Sequence, residues 1–232
     1  MLKRPQAPTT ENCVLSEASD FKTEQINILV LVSGGGTNLQ ALIDAQARGE
    51  FKGAAIAAVL SDRDGAYALV RAKAAGIPAF TEKPDMRLPK QQRRQELSDR
   101  ILRICREKRI GLVVYAGFLS ILAGEIFQAY KGKMINIHPS LLPKFGGQGM
   151  YGERVHKAVL DAGETVSGCT VHLVEEKIDS GPVLLSRKVP VFSGDSPGAL
   201  AERVLKEEHI AIAEGVKMMI QRLNDEERLE EQ

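Results

Sequence analysis

The chain has 232 residues, 44% hydrophobic and 26% charged, with 31 Lys and Arg against 30 Asp and Glu. That balance belongs to an ordinary globular domain and excludes collagen-like and wholly disordered chains. The net charge of +1 lacks the basic character of a nucleic-acid binder, and every apolar run falls well short of the ~20 residues that span a bilayer as a helix, so neither nucleic acid nor membrane is an expected partner.

Residues 1–25 are polar, carry Pro5 and Pro8, and read as a mobile leader outside the fold. No apolar stretch follows Lys3 and Arg4, so no secretory signal is expected. Ile28–Val32 is an apolar run closed by Ser33 and three glycines, the pattern of a buried strand. Leu39, Leu42, Ile43 and Ala47 then recur at helical spacing. Ala54–Leu60 reads as a second strand, Ala66–Ala75 as a helix stopped by Gly76, and Pro78–Phe80 as a short strand. Lys90–Lys108 is a long charged helix with Leu97, Ile101, Leu102 and Cys105 facing inward, followed by strands at Leu112–Ala116 and Met134–Ile137. The second half changes character. Gly168–Val174 alternates around Cys169, Val171 and Leu173, and Pro182–Val191 is rich in Val and Leu.

Ser196 caps a closing helix with Pro197 at its first position, and Ile212, Val216, Met219, Ile220 and Leu223 form its apolar stripe. Residues 225–232 hold five acidic side chains and read as a frayed tail. A single domain over residues 26–224 remains. Its alternation of strand and helix predicts an α/β, Rossmann-like fold: a mostly parallel sheet with helices on both faces and an antiparallel C-terminal extension. Cys13, Cys105 and Cys169 are too far apart for a zinc site or a redox pair, so no metal is expected and the cytoplasm is the simplest compartment.

Three segments carry chemistry. Ser33-Gly34-Gly35-Gly36-Thr37-Asn38 follows a strand and opens a helix, where bare backbone N–H groups and the helix start favour an anion. It lacks the Lys of a Walker loop and is not the dinucleotide fingerprint; a plain tight turn is the alternative. Asn136 and His138 end a strand two residues apart, so both side chains point the same way. An amide donor beside an imidazole suits oxyanion stabilisation and proton transfer, whereas a histidine bonded to a strand-end carbonyl is the alternative. Asp179, in the turn Ile178-Asp179-Ser180-Gly181-Pro182, either bonds its own backbone or faces an imidazole, and spacing does not choose between these. His156, His172 and His209 stand isolated and read as structural. Cys105 and Cys169 read as core, and the Lys and Arg residues of 87–109 read as a solvated helix face.

Taken together, NILVLVSGGGTNLQALIDA, VVYAGFLSIL, INIHPSLLPKFGG, VSGCTVHLVEEKIDSGPV and LKEEHIA resemble, in order and spacing, the phosphoribosylglycinamide formyltransferases. The resemblance runs from about Asn27 to about Leu223. It implies formyl transfer from the co-substrate 10-formyltetrahydrofolate to the amine of glycinamide ribonucleotide in purine biosynthesis, directly and through a tetrahedral intermediate. By the same resemblance Asn136, His138 and Asp179 are catalytic. Gly36, Thr37, Asn38 and Glu208 meet the ribonucleotide. Arg94, Leu119, Ser120, Ile121 and Leu122, with Asn136 and the loop Glu175, Glu176, Lys177, Ile178 and Asp179, meet the folate.

Monomer and homodimer both fit. After Pro143 the run KFGGQGMYGERVH, residues 144–156, is longer than the family's usual loop. Formyltetrahydrofolate hydrolases and methionyl-tRNA formyltransferases are related alternatives. The first is disfavoured by the short segment before the first strand, the second by the want of a further C-terminal domain and a basic surface. A nucleotide-binding module without catalysis would keep the glycine loop but not need Asn136, His138 and Asp179 together.

Overall fold

The structure is a computed structural model that describes residues 25–230. The leader expected over residues 1–25 therefore lies outside the described residues, Gln25 apart. Among the described residues seven strands form one sheet. The elements run β1 (Ile26–Val32), α1 (Thr37–Ala47), β2 (Ala54–Ser61), α2 (Tyr67–Ala74), β3 (Ala79–Thr81), α3 (Lys90–Glu107), β4 (Ile110–Tyr115), α4 (Ile126–Ala129), β5 (Met134–His138), α5 (Glu153–Asp161), β6 (Val166–Leu173), β7 (Val183–Pro190) and α6 (Pro197–Glu230).

The sheet order is β3-β2-β1-β4-β5-β6-β7. β1 to β5 pair in parallel, and β6 and β7 join antiparallel, as the change of pattern in the second half predicts. Side chains alternate across a strand, so β1 splits its apolar run between two cores. Ile28, Val30 and Val32 pack with buried residues of α1, α2 and α6 on one face. Leu29 and Leu31 pack with Leu97, Ile101 and Cys105 of α3 and Ile126 of α4 on the other. A strand covered on both faces reads as continuously apolar, as β1 does. Burial pushes the thiols of Cys105 and Cys169 up to about 12, which makes them inert core groups.

Three local expectations differ. Ala47 is exposed, and Ala45 is the residue of α1 that is buried beside Leu39 and Leu42. Residues 153–156 are not loop: α5 begins at Glu153 and buries Val155, His156 and Val159, which leaves 144–152 as the loop. The acidic residues 225–230 continue α6 rather than fraying from it. Arg222 pairs with Glu226 at 2.8 Å and Arg228 with Asp225 at 3.9 Å, and charge pairs at these spacings support an exposed helix.

Sheet order reverses direction at β1, which lies between β2 and β4. Strands that diverge there open a crevice beyond their carboxyl ends, where open α/β sheets bind ligands. Here the crevice is bridged by the bond from the Leu119 N–H to Ser33 Oγ at 2.8 Å and by that from the Ser120 hydroxyl to Asp62 Oδ2 at 2.6 Å.

Candidate active site

A cavity of about 650 Å³ occupies this crevice and extends over the end of β5. Its volume lies within the range of small-molecule sites. Asn136, His138 and Asp179 all line it, as do Asn38, Glu208, Leu119, Ser120, Ile121, Leu122, Glu175, Glu176 and Ile178. Gly36, Thr37, Lys177 and Arg94 do not. Thr37 lines a separate hollow with His209 and Arg71. Arg94 stays on α3, where its carbonyl accepts the Ser98 hydroxyl at 2.7 Å; Ser98 Oγ in turn accepts the Ala123 N–H at 2.8 Å. Arg94 thus belongs to the turn that anchors the 119–123 segment, and Arg63 is the guanidinium on the cavity wall.

Sheet register builds the polar centre. Asn136 on β5 lies opposite His172 on β6, and His138 opposite Thr170. Thr170 Oγ1 donates to the Ser140 carbonyl at 2.7 Å and accepts the Leu142 N–H at 3.1 Å, so the chain leaving His138 is tied back to β6. His172 Nδ1 lies 2.8 Å from the Leu173 carbonyl oxygen, which can only accept, so the ring proton sits on Nδ1. Burial holds the His172 pKa below the ordinary histidine value, and a neutral ring leaves Nε2 as an acceptor. Asn136 Nδ2 donates to it at 3.1 Å. This bond orients the amide of Asn136 and leaves its second N–H for a ligand.

Asp179 lies between the two histidines. Its Oδ2 is 3.5 Å from His138 Nδ1 and its Oδ1 is 3.6 Å from His172 Nε2. Oδ2 also accepts the Gly147 N–H at 2.8 Å, so the carboxylate holds the 144–152 loop as well as the imidazole. The backbone of Asp179 has φ 52°, a conformation that Asp and Asn tolerate better than most side chains. His138 Nε2 lies 2.9 Å from the Phe145 carbonyl oxygen. The His138 ring is therefore set between two acceptors, the Phe145 carbonyl and the Asp179 carboxylate.

Elsewhere on the cavity wall, Asn38 Nδ2 donates to Glu208 Oε2 at 2.7 Å. Both groups are nearly buried, and burial raises the Glu208 pKa, opposed by the bond from Asn38. Gly36 has φ 71°, and a Cβ there would stand 2.6 Å from Ala68 Cβ. Only glycine lets the loop lie this close to α2. Substituting valine at 36 would therefore displace α2 as well as the loop, and Asn38 is the cleaner probe.

His172 and His156 are the site residues that sequence reading set aside as structural. The alternation of β6 puts His172 on the opposite face from Cys169 and Val171, but only the pairing with β5 shows what it meets. His156 is 4% exposed and lines the cavity, and its Nδ1 has no partner among the described residues. Burial, and then the nearby His138, hold its pKa low.

A depressed histidine has a signed consequence for stability. Between the folded pKa and the unfolded value near 6.5 the unfolded chain binds more protons, so stability rises with pH. The contribution of His156 and His172 is complete above about pH 6.5 and is lost as pH falls from there toward their folded values. Glu208, raised in the fold, acts in the opposite sense above its ordinary value. We expect His156→Phe, which keeps a ring but takes no proton, to lose less stability than the native chain between pH 7 and pH 5. Urea unfolding at both pH values measures this, and equal losses would refute it.

A profile of the formyl transferase family matches residues 26–216. Phosphoribosylglycinamide formyltransferase from Escherichia coli (strain K12) is 40% identical over 184 residues, covering 79% of this chain and 82% of that protein. The human trifunctional purine biosynthetic protein adenosine-3 is 41% identical over 199 residues, 86% of this chain. The chain spans only 15% to 19% of the length of the trifunctional animal relatives that it matches. The crystal structure of glycinamide ribonucleotide transformylase 1 from Symbiobacterium toebii superposes with a TM-score of 0.78 at 36% identity, covering 86% of this chain and 90% of that one. A profile matched over most of the chain, and a bacterial relative matched over about four fifths of its own length, make this chain a member of the formyl transferase family, on its phosphoribosylglycinamide formyltransferase branch.

Proposed function

We propose that this chain transfers a formyl group from 10-formyltetrahydrofolate to the primary amine of glycinamide ribonucleotide. The observation that carries the reading is one cavity that gathers an anion-suited loop, flat apolar surface and a histidine–carboxylate pair. Its wall carries Ser33, Gly34, Asn38 and the buried Glu208, the apolar Phe118, Leu119, Ile121, Leu122, Val174 and Ile178, and with them Asn136, His138 and Asp179. Flat apolar surface with nearby backbone donors and acceptors suits a pterin, and the helix-start loop suits a phosphate.

The amine attacks the formyl carbon, which becomes tetrahedral and places negative charge on its oxygen. The second N–H of Asn136, already aimed by His172, donates to that oxygen. His138 moves a proton from the attacking amine side toward the departing folate nitrogen, and Asp179 stabilises the positive charge that the ring carries meanwhile. The Phe145 carbonyl holds one of the ring N–H positions, so the 144–152 loop must shift for His138 to hand its proton on. Arg63, on the cavity wall, and Arg94, which the family resemblance gives to the folate, are the guanidinium groups proposed for a tail carboxylate. The buried thiols Cys105 and Cys169 fit a reducing compartment.

The test mixes the protein with glycinamide ribonucleotide and a 10-formylfolate and follows deformylated folate. Release that needs the ribonucleotide supports transfer; release without it means hydrolysis, and no release in either case removes the reading. Within it, Asn38→Ala should raise the KM for the ribonucleotide by about tenfold, the scale of one lost hydrogen bond in a charged site, and leave the KM for folate near its native value. Steady-state kinetics with each substrate varied in turn checks this, and an unchanged ribonucleotide KM would take Asn38 out of the site.

A further inference from the structure

The glycine loop is held from behind. Gly34 O accepts the Ala68 N–H at 3.0 Å, and Gly35 O accepts Arg71 Nε–H at 2.9 Å. Both donors belong to α2. In a trans peptide the C=O of one residue and the N–H of the next point in opposite directions. With the carbonyls of Gly34 and Gly35 drawn toward α2, the N–H groups of Gly35 and Gly36 face away from it. Among the described residues neither N–H donates to a protein acceptor.

Arg71 is itself pinned. Its Nη1 donates to Gln40 Oε1 at 3.1 Å, and Gln40 Nε2 donates to Asp44 Oδ1 at 2.9 Å. Its guanidinium lies 5.0 Å from the centre of the Tyr67 ring. Two acidic groups of the same hollow pair elsewhere, Glu50 with both Arg48 and Lys217 and Glu214 with Arg187, while the third, Asp44, meets Arg71 through Gln40. Among the described residues Arg71 makes no direct ion pair, and its guanidinium stands one peptide plane behind the loop with Asp44 held at one remove by Gln40.

We propose that Arg71, outside the cavity, is a positioning residue for the phosphate of the ribonucleotide. It holds the Gly35–Gly36 peptide with its N–H toward the anion and adds positive potential behind it. The proposal rests on the ribonucleotide reading above. A flexible glycine peptide left unheld can rotate and present its carbonyl instead, which repels an anion. Two constraints from α2 remove that freedom before the ligand arrives.

The experiment compares the native chain with Arg71→Gln and Arg71→Lys. Arg71→Gln should raise the KM for glycinamide ribonucleotide by about tenfold, the scale of one charge-assisted hydrogen bond, with kcat and the KM for folate within about twofold. Arg71→Lys, which keeps charge without the fork, should fall between. Glycinamide riboside, which lacks the phosphate, should be handled alike by the native chain and Arg71→Gln. Equal KM values for the ribonucleotide, or an equal loss with the riboside, would overturn the proposal and leave the transfer reading intact. If the native chain does not turn over the ribonucleotide, calorimetry with ribose 5-phosphate decides: tighter binding by the native chain than by Arg71→Gln sustains the role of Arg71, and equal or absent binding ends it.

Discussion

Asp179→Asn is expected to lower turnover by roughly 10²–10⁴, the range for lost general acid–base assistance, with little change in fold or in either substrate KM. The structure makes this substitution a test of charge alone. Asparagine tolerates the left-handed backbone at position 179, and its carbonyl oxygen can still accept the Gly147 N–H now held at 2.8 Å. What disappears is the negative charge 3.5 Å from His138 Nδ1 and 3.6 Å from His172 Nε2. His138 then carries its transient positive charge without a counter-charge, in a site where its side chain is 5% exposed and water screens little. Kinetics with both substrates and a thermal melt measure the effect. Near-native turnover would reduce Asp179 to a turn residue that holds the loop. A large rise in either KM would mean that the substitution had released the 144–152 segment.

Asn136→Ala should reduce kcat by roughly 10²–10³, the cost of removing one donor to an oxyanion. The argument depends on His172. Because its neutral Nε2 takes one amide hydrogen of Asn136 at 3.1 Å, the other hydrogen has a defined direction and needs no reorganisation as charge develops. Asn136→Asp is the informative partner. It matches the size of the amide but sets a carboxylate beside Asp179 and beside the forming oxyanion, so its loss should equal or exceed that of alanine. If Asn136→Asp kept most of the activity, donation to the oxyanion would be the wrong role for this residue.

Local sequence determined the elements. β1, β2 and β4 are short apolar runs closed by Ser, Asp or Gly within two residues, α1, α3 and α6 show their 3.6-residue stripes, and Ser196 with Pro197 marks the start of α6, where Ser196 Oγ accepts the Ala199 N–H at 3.2 Å. These signals are local because propensity, capping and amphipathic burial act over a few residues. Asn136 and His138 were legible together for the same reason: strand geometry alone points both one way. The helical state of 225–230 was less so, since its ion pairs compete with a composition that also suits a tail.

The assembly of the site was decided by tertiary structure. Nothing within β6 says that His172 faces Asn136, 36 residues away; the register of β5 against β6 does. The positive-φ turn at Asp179 meets His138 and His172 only because the sheet returns it to the end of β5. Arg63, rather than Arg94, reaches the cavity because β2 ends at the crevice while α3 lies behind the 119–123 segment. Arg71 meets Gly35 because α2 packs against the glycine loop closely enough to exclude a Cβ at Gly36. Residue order along the chain specifies which chemistry is present. Which groups stand within 3–4 Å of one another depends on strand register and helix packing, and these are set by burial of the two cores on either side of β1.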